Sequence, residues 1–230
     1  MEENVVNVLM LLIGSNPFPN YLAIRFFGFE EHKLGSELIP KIDSIAFIYT
    51  SGANGTKNIC ENIKRTIGGS YKTFDLDIGN NSRDEEKIQE RIQSFIDKNK
   101  NEIESIHLNF TGGTKPMSIY SYITLQKENI QTYFSDIDPD NYRIKIKKGL
   151  TNLGYLPEGN CDLRHNLKDI QLDQILSIHG FSQKKSSKEI DFYELKDEYF
   201  SSNLDQNEFE KLLLGMYNIQ NDEDYNKHCL

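Results

Sequence analysis

Short apolar segments alternate with stretches of helical periodicity through the first 130 or so residues of the chain. Each apolar segment is followed by turn-forming residues and then by a stretch with helical spacing. This alternation is typical of a mostly parallel sheet that is covered by helices on both faces. The predicted strands of this kind are residues 5–13, 44–49, 71–76 and 103–110. The pattern therefore predicts an α/β fold.

The helix predicted between the third and fourth strands carries the clearest local signals. Ser82 and Glu85 have the spacing of a capping box. The acidic run at residues 84–86 suits the first helical turn, where it complements the helix dipole, so it does not indicate a metal site. An apolar stripe follows at helical spacing and is expected to face the sheet. The stripe consists of Ile88, Ile92, Phe95 and Ile96.

The turn sequence Asp138-Pro139-Asp140-Asn141 separates residues 131–136 from 142–147, which predicts a hairpin at the end of the sheet. We expect a ligand-binding domain over residues 1–148 and a linker over 149–166, where glycines and a proline interrupt any periodicity. Residues 167–230 are expected to form a small helical segment, either an accessory of winged-helix type or the start of a connector to an effector. Its predicted helices are 167–178, ending at a Gly180 cap, and 207–217.

Composition narrows the class of protein. Hydrophobic residues make up 37% and charged residues 27% of the chain, as in globular proteins. The longest apolar run, residues 5–13, is about half the length of a membrane span and follows Glu2 and Glu3 rather than the basic residues of a signal peptide. We therefore expect a soluble, cytoplasmic protein. Its three cysteines show neither metal-ligand nor paired spacing, so no disulfide framework and no zinc site are expected; they are Cys60, Cys161 and Cys229.

The net charge of −9 disfavours binding to a long nucleic acid, because no cluster of lysines and arginines would overcome the repulsion. The net charge does not exclude binding of a small anion, because a few oriented backbone N–H groups and one lysine can hold such an anion locally. Ligands of open parallel sheets bind beyond the carboxyl ends of the strands. The candidate loops there are residues 14–20, 50–57, 77–81 and 111–115.

The fourth loop is the most informative of these. Gly112 and Gly113 allow backbone amides to approach a ligand closely, and Thr114 or Lys115 is expected at the N-cap. Pro116 suits the first helical position. A free helix N-terminus, threonine hydroxyls and an ammonium group together predict a phosphate site. The alternative is a tight strand-to-helix turn with Lys115 simply solvated.

Known phosphate-binding motifs do not match this loop. The G-x-x-x-x-G-K-[ST] pattern is missing because Thr114 separates Gly113 from the lysine, and no G-x-G-x-x-G joins a strand to a helix. Ordinary ATPase and nicotinamide-dependent functions therefore lose most of their support. No metal or cofactor is expected.

Residues 108–117, Leu-Asn-Phe-Thr-Gly-Gly-Thr-Lys-Pro-Met, resemble the signature of CARF domains, the CRISPR-associated Rossmann folds that sense cyclic oligoadenylates. The resemblance covers about residues 4–148. It implies a Rossmann-like fold and a homodimer that places one cyclic tetra- or hexa-adenylate across its two-fold axis. Shorter matches fall where that family has its other ligand loops: Asn16-Pro17, Pro19-Asn20, Tyr49-Thr50 and Thr56-Lys57.

The resemblance also implies which residues contact the ligand. The fourth loop would hold phosphate and ribose, and the first and second loops would meet the ligand from either side. Phe18 lies on the first loop, so it is the aromatic residue that we would test for stacking on adenine. The complete implied set is Ser15, Asn16, Pro17, Phe18, Thr50, Ser51, Thr111, Gly112, Gly113, Thr114 and Lys115.

Three functions follow from the resemblance. The first is a sensor of type III CRISPR antiviral signalling that controls an attached or associated effector. The second is a metal-independent ring nuclease, for which Lys115, Ser15 and Asn16 are the catalytic candidates. The third is a transcription regulator, which ranks last because the helix at 207–217 carries Glu208 and Glu210 rather than basic residues. No effector active site is recognisable after residue 149.

Three further polar residues near the strands have simpler interpretations. His107 lies within the fourth strand and is expected to be a hydrogen-bonded structural residue. Asp75 and Asp77, near the end of the third strand, either contact the ligand or begin a turn.

Overall fold

Strands and helices alternate in the computed structural model, which describes residues 5–138, 143–156 and 172–180. The strands are β1 (Val6–Leu12), β2 (His32–Leu34), β3 (Glu37–Ile39), β4 (Ser44–Tyr49), β5 (Lys72–Asp77), β6 (Ile103–Asn109), β7 (Gln131–Asp138), β8 (Arg143–Lys148) and β9 (Thr151–Leu156). The helices are α1 (Phe18–Phe29), α2 (Lys57–Ile67), α3 (Glu85–Asn99), α4 (Lys115–Gln126) and α5 (Leu172–Ile178). None of these helices has the length and apolar character that a membrane span requires.

Seven of the described strands form one sheet in the order β5-β4-β1-β6-β7-β8-β9, while β2 and β3 pair as a separate hairpin. Neighbouring strands from β5 to β7 are parallel, and β8 and β9 continue the sheet in antiparallel pairs. The expected mostly parallel α/β sheet with a hairpin at its end is therefore confirmed.

Helices cover both faces of the sheet, because alternate side chains of each buried strand point to opposite sides. Leu9 and Leu11 of β1 pack with buried residues of α1, α2 and α5. Val8 and Met10 of the same strand pack with residues of α3 and α4. The apolar stripe predicted on α3 is buried in this second core, as expected, through Ile88, Ile92, Phe95 and Ile96.

The predicted capping box of α3 is wrong in position. Asp84 is the N-cap, and its Oδ1 accepts a hydrogen bond of 3.0 Å from the Lys87 N–H. The chain before it turns at Asn81, whose side chain accepts from the Arg83 N–H, and the observed cap lies two residues after the predicted cap at Ser82. The capping chemistry is nevertheless of the expected type, since aspartate and serine cap helices equally well.

The region after residue 148 also differs from expectation. Thr151–Leu156 was predicted to be part of a linker but forms β9, which pairs with β8 across a turn at Gly149, whose φ is 55°. Helix α5 lies within the predicted 167–178 helix and is followed by Gly180 at φ 90°. It packs on α2, where the Thr66 hydroxyl donates to Ser177 Oγ at 2.8 Å. The helix predicted at 207–217 lies outside the described residues.

Candidate ligand-binding site

Two loops meet at the point where the order of the sheet reverses. Strand β1 lies between β4, which continues toward β5, and β6, which continues toward β7. Such a reversal leaves a crevice at the carboxyl ends of the strands. Here the loops after β1 and β6 touch, because a methyl group built on Gly14 would lie 2.8 Å from the Gly113 nitrogen. The predicted first and fourth ligand loops therefore share one edge.

Thr111 opens the fourth loop and is anchored to the sheet. Its N–H donates to Asn109 Oδ1 at 3.1 Å, and its Oγ1 accepts from the Ile137 N–H at 2.9 Å. Asn109 is itself fixed, since its Nδ2 donates to Ser135 Oγ. The hydroxyl oxygen of Thr111 thus holds the loop to β7, in addition to the ligand contact expected of it.

The two glycines are required by geometry. Gly113 has a φ of 73°, a conformation that residues with a Cβ rarely adopt. Gly112 is buried, and a methyl group there would overlap the Leu12 carbonyl oxygen and lie 2.7 Å from Asn20 Nδ2. The loop therefore passes directly over the end of β1, and this is possible only without side chains at these positions.

Thr114 is the N-cap of α4, which resolves the alternative left by the sequence. Its backbone is extended, and its Oγ1 lies 3.5 Å from the Met117 nitrogen, a long capping bond. The same hydroxyl donates to the Ser82 carbonyl oxygen at 3.2 Å, which ties the fourth loop to the third. Lys115 is the first helical residue and Pro116 the second, so the expected position of the proline is wrong by one.

Four consecutive backbone N–H groups, those of residues 112 to 115, have no acceptor in the part of the chain that the structure describes. Gly112 is buried, Gly113 is half-buried, and Thr114 and Lys115 are exposed. The Lys115 side chain also has no ion-pair or hydrogen-bond partner among the described residues. Since these donors sit at the positive end of the helix dipole, the arrangement suits an anion.

The first loop contributes fewer free groups than expected. Asn16 Oδ1 accepts from the Phe18 N–H at 3.0 Å and so caps the start of α1. Phe18 is the first residue of that helix, not a loop residue, and is 8% exposed within the core. Its ring therefore offers little surface for adenine stacking. Pro17 is also buried, whereas Ser15 is exposed in the loop after β1.

The second loop is closed on itself by paired threonines. The Thr56 hydroxyl accepts from the Thr50 N–H at 3.2 Å, and Thr50 Oγ1 accepts from the Thr56 N–H at 3.1 Å. Thr50 is 7% exposed, so its side chain mainly holds the loop. Ser51 is half-buried, and its N–H donates to the Gly79 carbonyl oxygen. Lys57 is exposed at the start of α2.

The acidic residues near β5 have structural partners. Asp77 Oδ1 accepts from the Gly79 N–H at 2.8 Å, which favours the turn interpretation over ligand contact. Asp75 and Glu61 both accept from the Lys64 ammonium. Together with Cys60 these carboxylates have the proximity of a metal site. Burial raises the pKa of the Cys60 thiol to about 12, and one ammonium pairs with both carboxylates, which favours an ion-paired support over a metal site.

His107 lies in β6 and is 3% exposed, as expected for a structural residue. Its ring packs on Phe27 with centroids 4.0 Å apart. Contrary to expectation, neither ring nitrogen has a hydrogen-bond partner among the described residues. Burial lowers the pKa of His107 to about 3, so the imidazole is neutral.

The sequence placed Asn20 in the first loop but gave it no role in the site. This residue of α1 is fully buried, and its Nδ2 donates to the Leu12 carbonyl oxygen at 3.1 Å directly beneath Gly112. A buried asparagine on an otherwise apolar helix face, Phe18 to Phe27, is the signal that could have identified it.

The fold and the loops define a Rossmann-like α/β domain in which the start of α4 lies at the reversal of the sheet. The Card1 CARF domain family matches residues 8–152, which is more than half of the chain. The chain therefore belongs to the Card1 CARF domain family. No curated protein shows a significant match.

Three solved structures that match part of this chain are distant from it in sequence. One is Can2 from Sulfobacillus thermosulfidooxidans in complex with cyclic tetra-adenylate, with 15% identity, a TM-score of 0.49, and coverage of 68% of this chain and 38% of that chain. Another is protein VC1899 from Vibrio cholerae, with 16% identity, a TM-score of 0.45, and coverage of 67% and 34%. A third is Enterococcus italicus Csm6 bound to cyclic hexa-2'-fluoro-hexa-dAMP, with 14% identity, a TM-score of 0.40, and coverage of 57% and 34%. The matched region thus spans little more than a third of each of these chains.

Proposed function

We propose that this chain binds a cyclic oligoadenylate of four or six units at the crevice between the loops after β1 and β6, and that it acts as a sensor. Membership of the Card1 CARF domain family supports this proposal, since CARF domains sense such ligands. The ligand would then favour one of two states of the protein and so control an attached or associated effector.

The observation that carries the proposal is the run of unpaired N–H groups at the start of α4. Buried and half-buried backbone donors are almost always paired in folded proteins. Here Gly112 and Gly113 leave two such donors without an acceptor among the described residues, beside the exposed donors of Thr114 and Lys115. A phosphate bridging these groups would satisfy them and would also meet the Lys115 ammonium.

A homodimer is part of the proposal. A ring of repeated adenylates is symmetric, so two copies of one loop set can grip it across a two-fold axis. Support comes from α4 itself, where Ile119 is 54% and Ile123 is 38% exposed. These residues follow Lys115 at intervals of four, so they extend along the same side of the helix. A second copy seated on this side would cover both isoleucines.

Replacement of Lys115 by alanine tests the binding site. The loss of a hydrogen bond to a charged group should weaken the affinity for cyclic tetra- or hexa-adenylate by about 1.5–3 kcal/mol, roughly 10- to 150-fold. Titration calorimetry of the purified chain measures this difference directly.

Lys127→Ala is the matched control for that experiment. Lys127 is exposed at the other end of the same helix, about 18 Å away by the rise of twelve residues. The Lys127→Ala substitution removes the same charge from the protein but should leave the affinity for the cyclic adenylate unchanged. Equal weakening by both variants would mean that only overall charge matters, and an unchanged affinity of Lys115→Ala would refute the site.

A metal-independent ring nuclease is the second candidate. It is favoured by the juxtaposition of the exposed Ser15 and the unpartnered Lys115 on two touching loops. A ligand 2′-oxygen would bond to the adjacent phosphorus as the bond to the 5′-oxygen breaks, and the hydroxyl proton would pass to that leaving oxygen, which gives a 2′,3′-cyclic phosphate and a 5′-hydroxyl. Lys115 and the Ser15 hydroxyl would stabilise the charge that develops on the phosphate. Incubation of labelled cyclic tetra-adenylate with the chain and a chelator distinguishes the candidates, because only a ring nuclease yields a linear product.

A further inference from the structure

Asn20 and Gly112 each leave a buried polar group unpaired, and they do so side by side. Asn20 is 0% exposed, and its Oδ1 has no donor in the described part of the chain. The N–H of the buried Gly112 likewise has no acceptor there. A methyl group built on Gly112 would lie 2.7 Å from Asn20 Nδ2 and 2.9 Å from its Oδ1, so the carboxamide and the glycine are in contact.

The carboxamide of Asn20 is held in place from the other side. Its Nδ2 donates to the Leu12 carbonyl oxygen at 3.1 Å, the last carbonyl of β1. A buried acceptor without a donor costs about 1–3 kcal/mol. The carboxamide offsets part of this cost by pairing the Leu12 carbonyl, and its oxygen is left beside Gly112.

We infer that Asn20 is a positioning residue for the fourth loop. Its fixed carboxamide packs beneath Gly112 and so sets the direction of the N–H groups that follow, which are unpaired among the described residues. This inference rests on the proposed function, because those N–H groups are the proposed ligand donors. Asn20 itself is fully buried and acts through the loop rather than on the ligand.

Two hydrogen bonds hold the fourth loop on either side of its glycines. The Thr111 hydroxyl accepts from the Ile137 N–H of β7, and the Thr114 hydroxyl donates to the Ser82 carbonyl oxygen. Asn20 fills the space beneath, so the loop is held ready for an anion.

The variants Asn20→Leu and Asn20→Asp test this inference, with Ser44→Ala as the control. Leucine keeps the approximate volume and suits a helix, whereas aspartate keeps the shape but removes the donor to Leu12. Ser44 is also fully buried, and its hydroxyl has no partner among the described residues. It is the first residue of β4 and therefore lies at the amino ends of the parallel strands, opposite the ligand loops.

Binding of cyclic tetra-adenylate and the amide resonances of Gly112 and Gly113 are the readouts. At least one Asn20 variant that unfolds cooperatively should bind about tenfold more weakly or worse, and the amide resonances of both glycines should shift. The loss of binding in a folded variant is the readout that a merely structural role would not change. Ser44→Ala should change neither. Binding within twofold of the unchanged chain in both Asn20 variants, or glycine resonances that do not move, would overturn the inference.

The inference and the proposed function fail in different ways. If the unchanged chain binds neither cyclic tetra- nor cyclic hexa-adenylate, the proposed function is wrong. The glycine resonances of the ligand-free variants then still decide whether Asn20 positions the loop. If the unchanged chain binds and only the Asn20 variants behave like Ser44→Ala, the proposed function stands and the positioning role is wrong.

Discussion

Replacing His107 by leucine should remove the part of the acid sensitivity of the fold that this imidazole contributes. The imidazole is 3% exposed, its nitrogens have no partners in the described residues, and burial lowers its pKa to about 3. In the unfolded chain the pKa returns to its ordinary value of 6.5. The unfolded state therefore binds a proton over the interval in which the folded state cannot.

The sign and size of the effect follow from this difference. Stability is fully present above the unfolded pKa and is lost as the pH falls toward the folded pKa, by about 1.4 kcal/mol for each pH unit. Between about pH 7 and about pH 4.5, His107 alone should lower the free energy of unfolding by about 2.5 kcal/mol. The leucine variant should lack this part of the loss.

Urea unfolding of both proteins at the two pH values measures the difference. Ser44→Ala is the control, because it removes a buried polar group that does not titrate in this range. It should shift the stability equally at both pH values. A pH dependence of His107→Leu equal to that of the unchanged chain would show that the imidazole is hydrated or charged in the folded state, and would refute the reasoning.

Two further pairs of substitutions test the scaffold of the site. Thr111→Val removes the acceptor of the Ile137 N–H and should lower the free energy of unfolding in urea by about 1–3 kcal/mol. Thr111→Ser keeps the hydroxyl and should lower it less. Equal losses of stability in the two variants would show that the bond to β7 contributes nothing. Asp84→Ala should destabilise the protein by about 1 kcal/mol through loss of the α3 cap. Ser82→Ala should have little effect on stability, because Ser82 contributes only its backbone carbonyl. A larger loss of stability from Ser82→Ala than from Asp84→Ala would show that Ser82 is the cap.

The central strands and the fourth loop could be predicted because their signals are local. Strands β1 and β4 are buried on both faces and therefore read as continuous apolar runs. The start of α4 depends on two glycines, a threonine and a proline within a few residues. Strand β9 escaped prediction because it is mostly exposed or half-buried and contains Gly154, so it has neither an apolar run nor a clear alternation.

The tertiary partners of the loops could not be predicted from spacing. Thr111 is fixed by Ile137, 26 residues away, and nothing in either residue type indicates the bond. Pro17 and Pro19 suggested a loop, but prolines are also tolerated in the first turn of a helix, which is how Phe18 came to begin α1. Asn20 became recognisable only once the helix placed it under Gly112.

The most direct test is the response of the backbone amides of Gly113, Thr114 and Lys115 to cyclic tetra-adenylate, followed by nuclear magnetic resonance. Hydrogen bonds from these N–H groups to phosphate should move the three proton resonances strongly downfield, while those at the end of α4 stay in place. Saturable binding that leaves all three resonances unmoved would contradict the assignment of this helix start as the ligand site.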